Sequence, residues 1–175
     1  FAFLKNGFVM PQSGMLYFKN HTWASLEKSG LAKIGMGQFI TRLLGDISIH
    51  PIVQAGTRVH KGDVIALLQQ NGKSLRVKSP VSGEIQAINT SLIRTPGMLF
   101  EDSGENAWLI RLQPEDWRTD TSNVFSAQEA KTWISEELKR LRDFLAEAFK
   151  QDTRRPAPVV LQEGGELRPG IMSEL

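Results

Sequence analysis

Lys73 is the side chain with the most chemistry open to it. It stands directly after Asn71-Gly72, in the run KGDVIALLQQNGKSLRVKSPVSGEI from Lys61 to Ile85. Asn-Gly closes two-residue β-hairpins, because both central residues must take positive φ. A lysine amine at such a tip can be acylated and turned into a mobile arm. Left unmodified, it is a solvated charge that keeps the flanking strands from associating.

The other reactive side chains do not form a set. His21, His50 and His60 are far apart in sequence and lie in no metal-ligand spacing. His21 reads as a strand residue at the rim of the core, and His50-Pro51 and His60-Lys61 as exposed turns. Glu136-Glu137 falls on a helix surface. Glu101-Asp102 falls in a loop, where turn and capping roles outweigh acid catalysis. Gly35-Met36-Gly37 lacks a phosphate-loop pattern and reads as a bend before a helix. There is no G-x-S-x-G or H-E-x-x-H motif. The chain has no cysteine, which excludes disulfides, thiolate metal sites and thiol catalysis. No catalytic residue and no metal site are expected. Trp23, Trp108, Trp117 and Trp133 read as packing anchors.

The elements that must hold Lys73 follow from periodicity. Val64, Ala66 and Leu68 alternate on the strand entering the turn, and Leu75 and Val77 on the strand leaving it. Pro80 ends the pairing because it has no N–H to give. Further strands are predicted at Tyr17–Leu26, Leu31–Ile34, Asp46–His50, Gly83–Ile88 and Ala107–Leu112. A short helix is predicted at Gly37–Leu44, with Gly45 as its stop. Ser126-Ala127-Gln128-Glu129 is a capping box. It opens an amphipathic helix over 126–151, with Ile134, Leu138, Leu141, Leu145 and Phe149 at helical spacing. This gives an N-terminal arm over 1–16, a β domain over 17–118, the long helix, and a Pro- and Gly-rich tail or linker over 152–175.

Bulk properties agree with a compact, water-borne chain. Of 175 residues, 41% are hydrophobic and 23% charged, and the net charge is only +2. No run of like charge supports nucleic-acid binding. No apolar stretch nears the roughly 18–20 residues that span a bilayer. A soluble, cytoplasmic setting is expected.

Several short motifs, in order, carry a resemblance. They are His21-Thr22-Trp23, Ile34-Gly35-Met36-Gly37-Gln38-Phe39, Leu44-Gly45-Asp46-Ile47, Gly56-Thr57-Arg58-Val59 and Lys61-Gly62-Asp63. They continue through Ser79-Pro80-Val81-Ser82-Gly83-Glu84-Ile85, the set Asn89, Leu92 and Pro96, and finally Asp102 and Trp108. From Tyr17 to Trp117 the chain resembles the H-protein of the glycine cleavage system, within the lipoyl and biotinyl carrier domains. The resemblance implies a mainly β barrel-sandwich hybrid with a short internal helix; the long C-terminal helix exceeds what it needs. It also implies a non-catalytic domain whose hairpin lysine bears lipoate and shuttles an aminomethyl group or electrons between partner enzymes.

The sequence departs from that family at the lysine. The family hairpin reads E-S-V-K-A, with its lysine eight residues before the Pro of S-P-V-S-G. Here Lys73 is seven residues before Pro80, the aligned residue is Gly72, and Gln69 replaces the glutamate. A displacement of one residue redirects a strand side chain. The expectation is therefore a non-catalytic, H-protein-like module without lipoate that acts through protein contacts. Partner proteins or a second copy would bind through the C-terminal helix, with no nucleic acid and no membrane involved. The alternative is a functional lipoyl carrier modified on Lys73.

Overall fold

The computed structural model describes residues 14–37, 46–101 and 105–151. Two antiparallel sheets form the body. The larger uses β1 (Leu16–Tyr17), β2 (Thr22–Leu26), β3 (Ala32–Met36), β5 (Arg58–Val59), β8 (Gly83–Ile88) and β9 (Trp108–Pro114), in the order β1-β2-β3-β9-β8-β5. The smaller is β4 (Ser48–Pro51), β6 (Val64–Gln70) and β7 (Lys73–Lys78), in the order β4-β6-β7. One core joins them. Ile34, Ile65, Leu68, Val81, Ile85, Leu92, Ile110 and Leu112 are all buried in it. Each such side chain contributes about 1.5–3 kcal/mol by leaving water.

Four short elements complete the frame. They are α1 (Thr90–Arg94), α2 (Met98–Glu101), a 3₁₀ turn at Glu105–Ala107, and α3 (Trp117–Asp120). The N-cap of α1 is Asn89, whose Oδ1 accepts from the Leu92 N–H at 3.2 Å. Its Nδ2 donates to the Trp108 carbonyl at 2.8 Å, which ties the helix to β9. That double use accounts for an asparagine three residues before a buried leucine.

The expected pattern needs correction in several places. The single strand expected at Tyr17–Leu26 is broken into β1 and β2 by a turn. His21 donates from its backbone to the Phe18 carbonyl at 3.0 Å and takes φ 60°, so it lies in that turn, outside the strand. β3 runs on through Gly35 and Met36, so these two residues are strand rather than bend. Trp23 explains why: its ring lies on Gly35, where a Cβ would stand 2.2 Å from the indole, and its Nε1 donates to the Met36 carbonyl at 3.1 Å. In β6 a bulge between Val64 and Ala66 changes the phase, so Ile65 is buried together with Ala66 and Leu68, and Val64 is half-buried. Glu101 closes α2 instead of sitting in a loop. The helix expected at Gly37–Leu44 lies outside the described residues beyond Gly37.

The long helix α4 (Ala127–Gln151) starts where its capping box requires. Ser126 Oγ accepts from the Glu129 N–H at 3.4 Å, and Glu129 Oε2 accepts from the Ser126 N–H at 2.9 Å. The bond from the Ser126 N–H, together with one from the Ser126 hydroxyl to Oε2 at 2.8 Å, holds the Glu129 carboxyl below its ordinary range. Phe125, just before the cap, bonds Tyr17 in both backbone directions, at 3.1 and 2.9 Å. Ala130 is buried beneath Met15, Tyr17 and Trp23, with Phe125 against the same cluster. This pairing across the cap is a hydrophobic staple. Trp133 then stacks on His21 at 4.8 Å and on Phe125 at 5.3 Å. The first turns of α4 are thus docked on the β body. Among the described residues, no helix is long and apolar enough to cross a membrane.

The burial of His21 is expected to make stability pH-dependent. Burial pushes the imidazole pKa below its ordinary value, and the Glu137 carboxylate partly opposes this. The unfolded chain therefore binds a proton near pH 6.5 that the folded chain refuses. Stability is complete above that pH and is lost as pH falls below it, until the folded imidazole also titrates. We expect thermal melts of the wild type to show a Tm that drops between about pH 7.5 and 5.5. His21→Asn, which tolerates positive φ, should give a flatter profile over the same interval.

Candidate functional site at the hairpin tip

The β6–β7 tip is built as its sequence demands. Asn71 has φ 49° and Gly72 φ 78°, so both turn residues are left-handed and the turn is of the primed type. Gln70 and Lys73 are register partners flanking it, followed by Gln69 with Ser74 and Leu68 with Leu75. β4 supports the base: Ser48 pairs with Gln69 and Ile49 with Leu68. Ile49 and Leu68 are buried, so the pedestal is anchored in the core one residue before the tip begins to project.

Lys73 is the first residue of β7 and is exposed. By strand alternation it shares a face with Leu75 and Val77, beyond the edge of the core. It flanks the turn, and the central positions belong to Asn71 and Gly72. A Cβ built on Gly72 would meet no atom within 4 Å, so that position opens to solvent. The Oε1 of Gln70 is enclosed and accepts no hydrogen bond among the described residues.

The motif from Ser79 to Gly83 braces the other end of this hairpin. Ser79 is buried, and its Oγ donates to the Val81 carbonyl at 2.7 Å. Its backbone exchanges bonds with Asp63 and Gly62. Ser82 Oγ accepts from the Lys61 N–H at 2.9 Å, and its own N–H donates to Asp120 Oδ2 at 2.7 Å. Lys61 Nζ donates to the Asp120 carbonyl at 2.6 Å. Lys61, Ser82 and Asp120 therefore lock the strand entry, the turn after β7 and helix α3 together. The latch through Asp120 was not legible in the sequence, because it joins residues far apart in the chain.

The other candidate side chains remain scattered. His50 and Pro51 belong to strand β4 and not to a turn; the His50 ring bonds Ser48 Oγ at 3.0 Å, and His60 lies 3.5 Å from Asp63 at an exposed turn. Among the described residues, no three His, Asp or Glu side chains converge as a metal site. Trp23 is deeply buried, while Trp108, Trp117 and Trp133 are half-buried packing residues.

Comparison with known proteins agrees with this frame. The glycine cleavage H-protein family pattern matches residues 15–137. A probable glycine cleavage system H protein of Thermococcus kodakarensis is 31% identical over 117 residues, covering 67% of this chain and 87% of that protein. The glycine cleavage system H protein of Methylococcus capsulatus is 36% identical over 104 residues, covering 59% and 81%. The crystal structure of a glycine cleavage system H protein from Mycobacterium marinum superposes with a TM-score of 0.56 at 21% identity, covering 67% and 94%, and shows the shared fold. The chain belongs to the glycine cleavage H-protein family, a family of carriers and not of catalysts.

Proposed function

We propose that this chain keeps the presenting frame of an H-protein while leaving its tip unloaded, and works by protein–protein contact. The observation that carries this is Gly72. By the residue count that the resemblance implies, it falls where the family's lipoyl lysine would stand, eight residues before Pro80, and its left-handed backbone completes a turn with Asn71. Lys73 stands on the flank, one residue away. The part of α4 beyond its docked first turns offers a further surface for a partner protein or a second copy.

A second reading has its own support. The family's members normally carry lipoate, and Lys73 is an exposed amine at the tip of the matching hairpin. In this reading the chain is a working lipoyl carrier, holding an aminomethyl or electron-shuttling arm by an amide on Lys73. The relatives by name favour it; the turn geometry favours the first.

Intact-mass measurement separates the two. The full chain is produced with lipoate and a lipoate ligase, beside an H-protein that the ligase modifies. An unchanged mass is expected. A mass increased by one lipoyl group, mapped to Lys73 by peptide sequencing, would overturn the unloaded reading and establish the carrier.

A further inference from the structure

The exposed edge of the small sheet differs from the other edges. β1 and β5 are two residues long, and β4 ends in Pro51, features that blunt an edge. β7 runs six residues as the outermost strand. The two-residue turn sets which way its backbone points. Gln70 and Lys73 exchange both N–H···O bonds, and bonded pairs then alternate along the ladder. Leu75 and Val77 therefore bond inward, to Leu68 and Ala66. Ser74 and Arg76 turn their N–H and C=O groups outward. At the far end the Lys78 carbonyl accepts from Asn20 Nδ2 at 3.2 Å, which limits the open edge to the part near the tip.

The charge of this edge is of one sign. No acidic residue occurs from Val64 to Ser82, while Lys73, Arg76 and Lys78 are all exposed. None of the three makes an ion pair among the described residues. Arg76 and Lys78 stand on the outer face. Leu75, on the other face, remains 36% exposed, although its partner Leu68 is buried.

We infer that β7 accepts an added strand from a partner protein, an extended segment in which acidic and apolar residues alternate. Its backbone pairs with the outward groups of Ser74 and Arg76, its carboxylates lie beside Arg76 and Lys78, and an apolar side chain covers Leu75. A second copy of β7 is a poor occupant, because it sets cation against cation. This inference goes beyond the function proposed above and holds whether or not the tip carries lipoate.

The test uses the full chain and a fluorescein-labelled peptide of alternating Glu and Val, read by anisotropy. Saturable binding is expected, weakened by added salt. Its Kd should rise by about tenfold in Arg76→Glu. Binding should be lost in Ser74→Pro, which removes one outward N–H and leaves the inward ladder intact. It should also be lost when the peptide is N-methylated at the amides that face β7. Circular dichroism melts confirm that both variants are folded. Equal binding by the methylated and parent peptides would show simple charge attraction and overturn strand addition. Absence of saturation up to about 1 mM peptide would overturn it as well.

Discussion

Gly83→Ala should cost the fold more than about 3 kcal/mol. The reason is proximity to rigid atoms. A Cβ at Gly83 would stand 2.2 Å from the Gln113 backbone oxygen and 2.7 Å from Leu112 Cδ1. Gly83 pairs with Val59 on one side and Pro114 on the other, so it is held between β5 and β9. No rotamer change relieves a clash with backbone; the strands must part. They separate at a place where Leu112, Ile85 and Val81 are completely buried. Denaturant titration should show a large fall in midpoint with little change in slope, as expected for a two-state loss of stability. Gly97→Ala is the control, because a Cβ there meets nothing within 4 Å; it should melt close to wild type. A Gly83→Ala protein as stable as the wild type would mean that β5, β8 and β9 pack with more freedom than their register implies.

The second large effect is expected at the tip. If the tip is unloaded as proposed, Gly72→Lys combined with Lys73→Ala puts an amine eight residues before Pro80, and Gln69→Glu puts an acidic residue three positions before that amine. Gly72 faces open solvent, so the new side chain meets no steric obstacle. Its cost is the positive φ of 78°, about 1–2 kcal/mol for a residue with a Cβ. We expect this triple variant to gain one lipoyl group from a lipoate ligase under conditions in which the wild type gains none. An unmodified variant with a wild-type melt would show that something other than the residue count withholds the arm.

Much of this was readable from residue types alone. The Asn-Gly turn needs only two adjacent residues, and it formed with the left-handed φ values that the pair predicts. The capping box at Ser126 and Glu129 spans a single turn of chain and formed both of its reciprocal bonds. The short segments that were missed have a different character. β5, α1 and α3 are two, five and four residues long, too short to show any periodicity. Tyr17–Leu26 reads as one strand only across the polar run Lys19-Asn20-His21-Thr22, which is where the break falls. A local turn at Phe18 to Thr22 won, and the positive φ of His21 is the cost of that choice.

By itself the sequence determined the family, the hairpin and the long helix, because each depends on residue identity and local spacing. Tertiary structure decided what those residues touch. It placed Trp23 over Gly35 and His21 under Trp133, and it joined Lys61, Ser82 and Asp120 in one latch. It also left β7 as an open, cationic edge. These are contacts between distant parts of the chain. They arise only when two sheets close on one core, and no local pattern of residues encodes them.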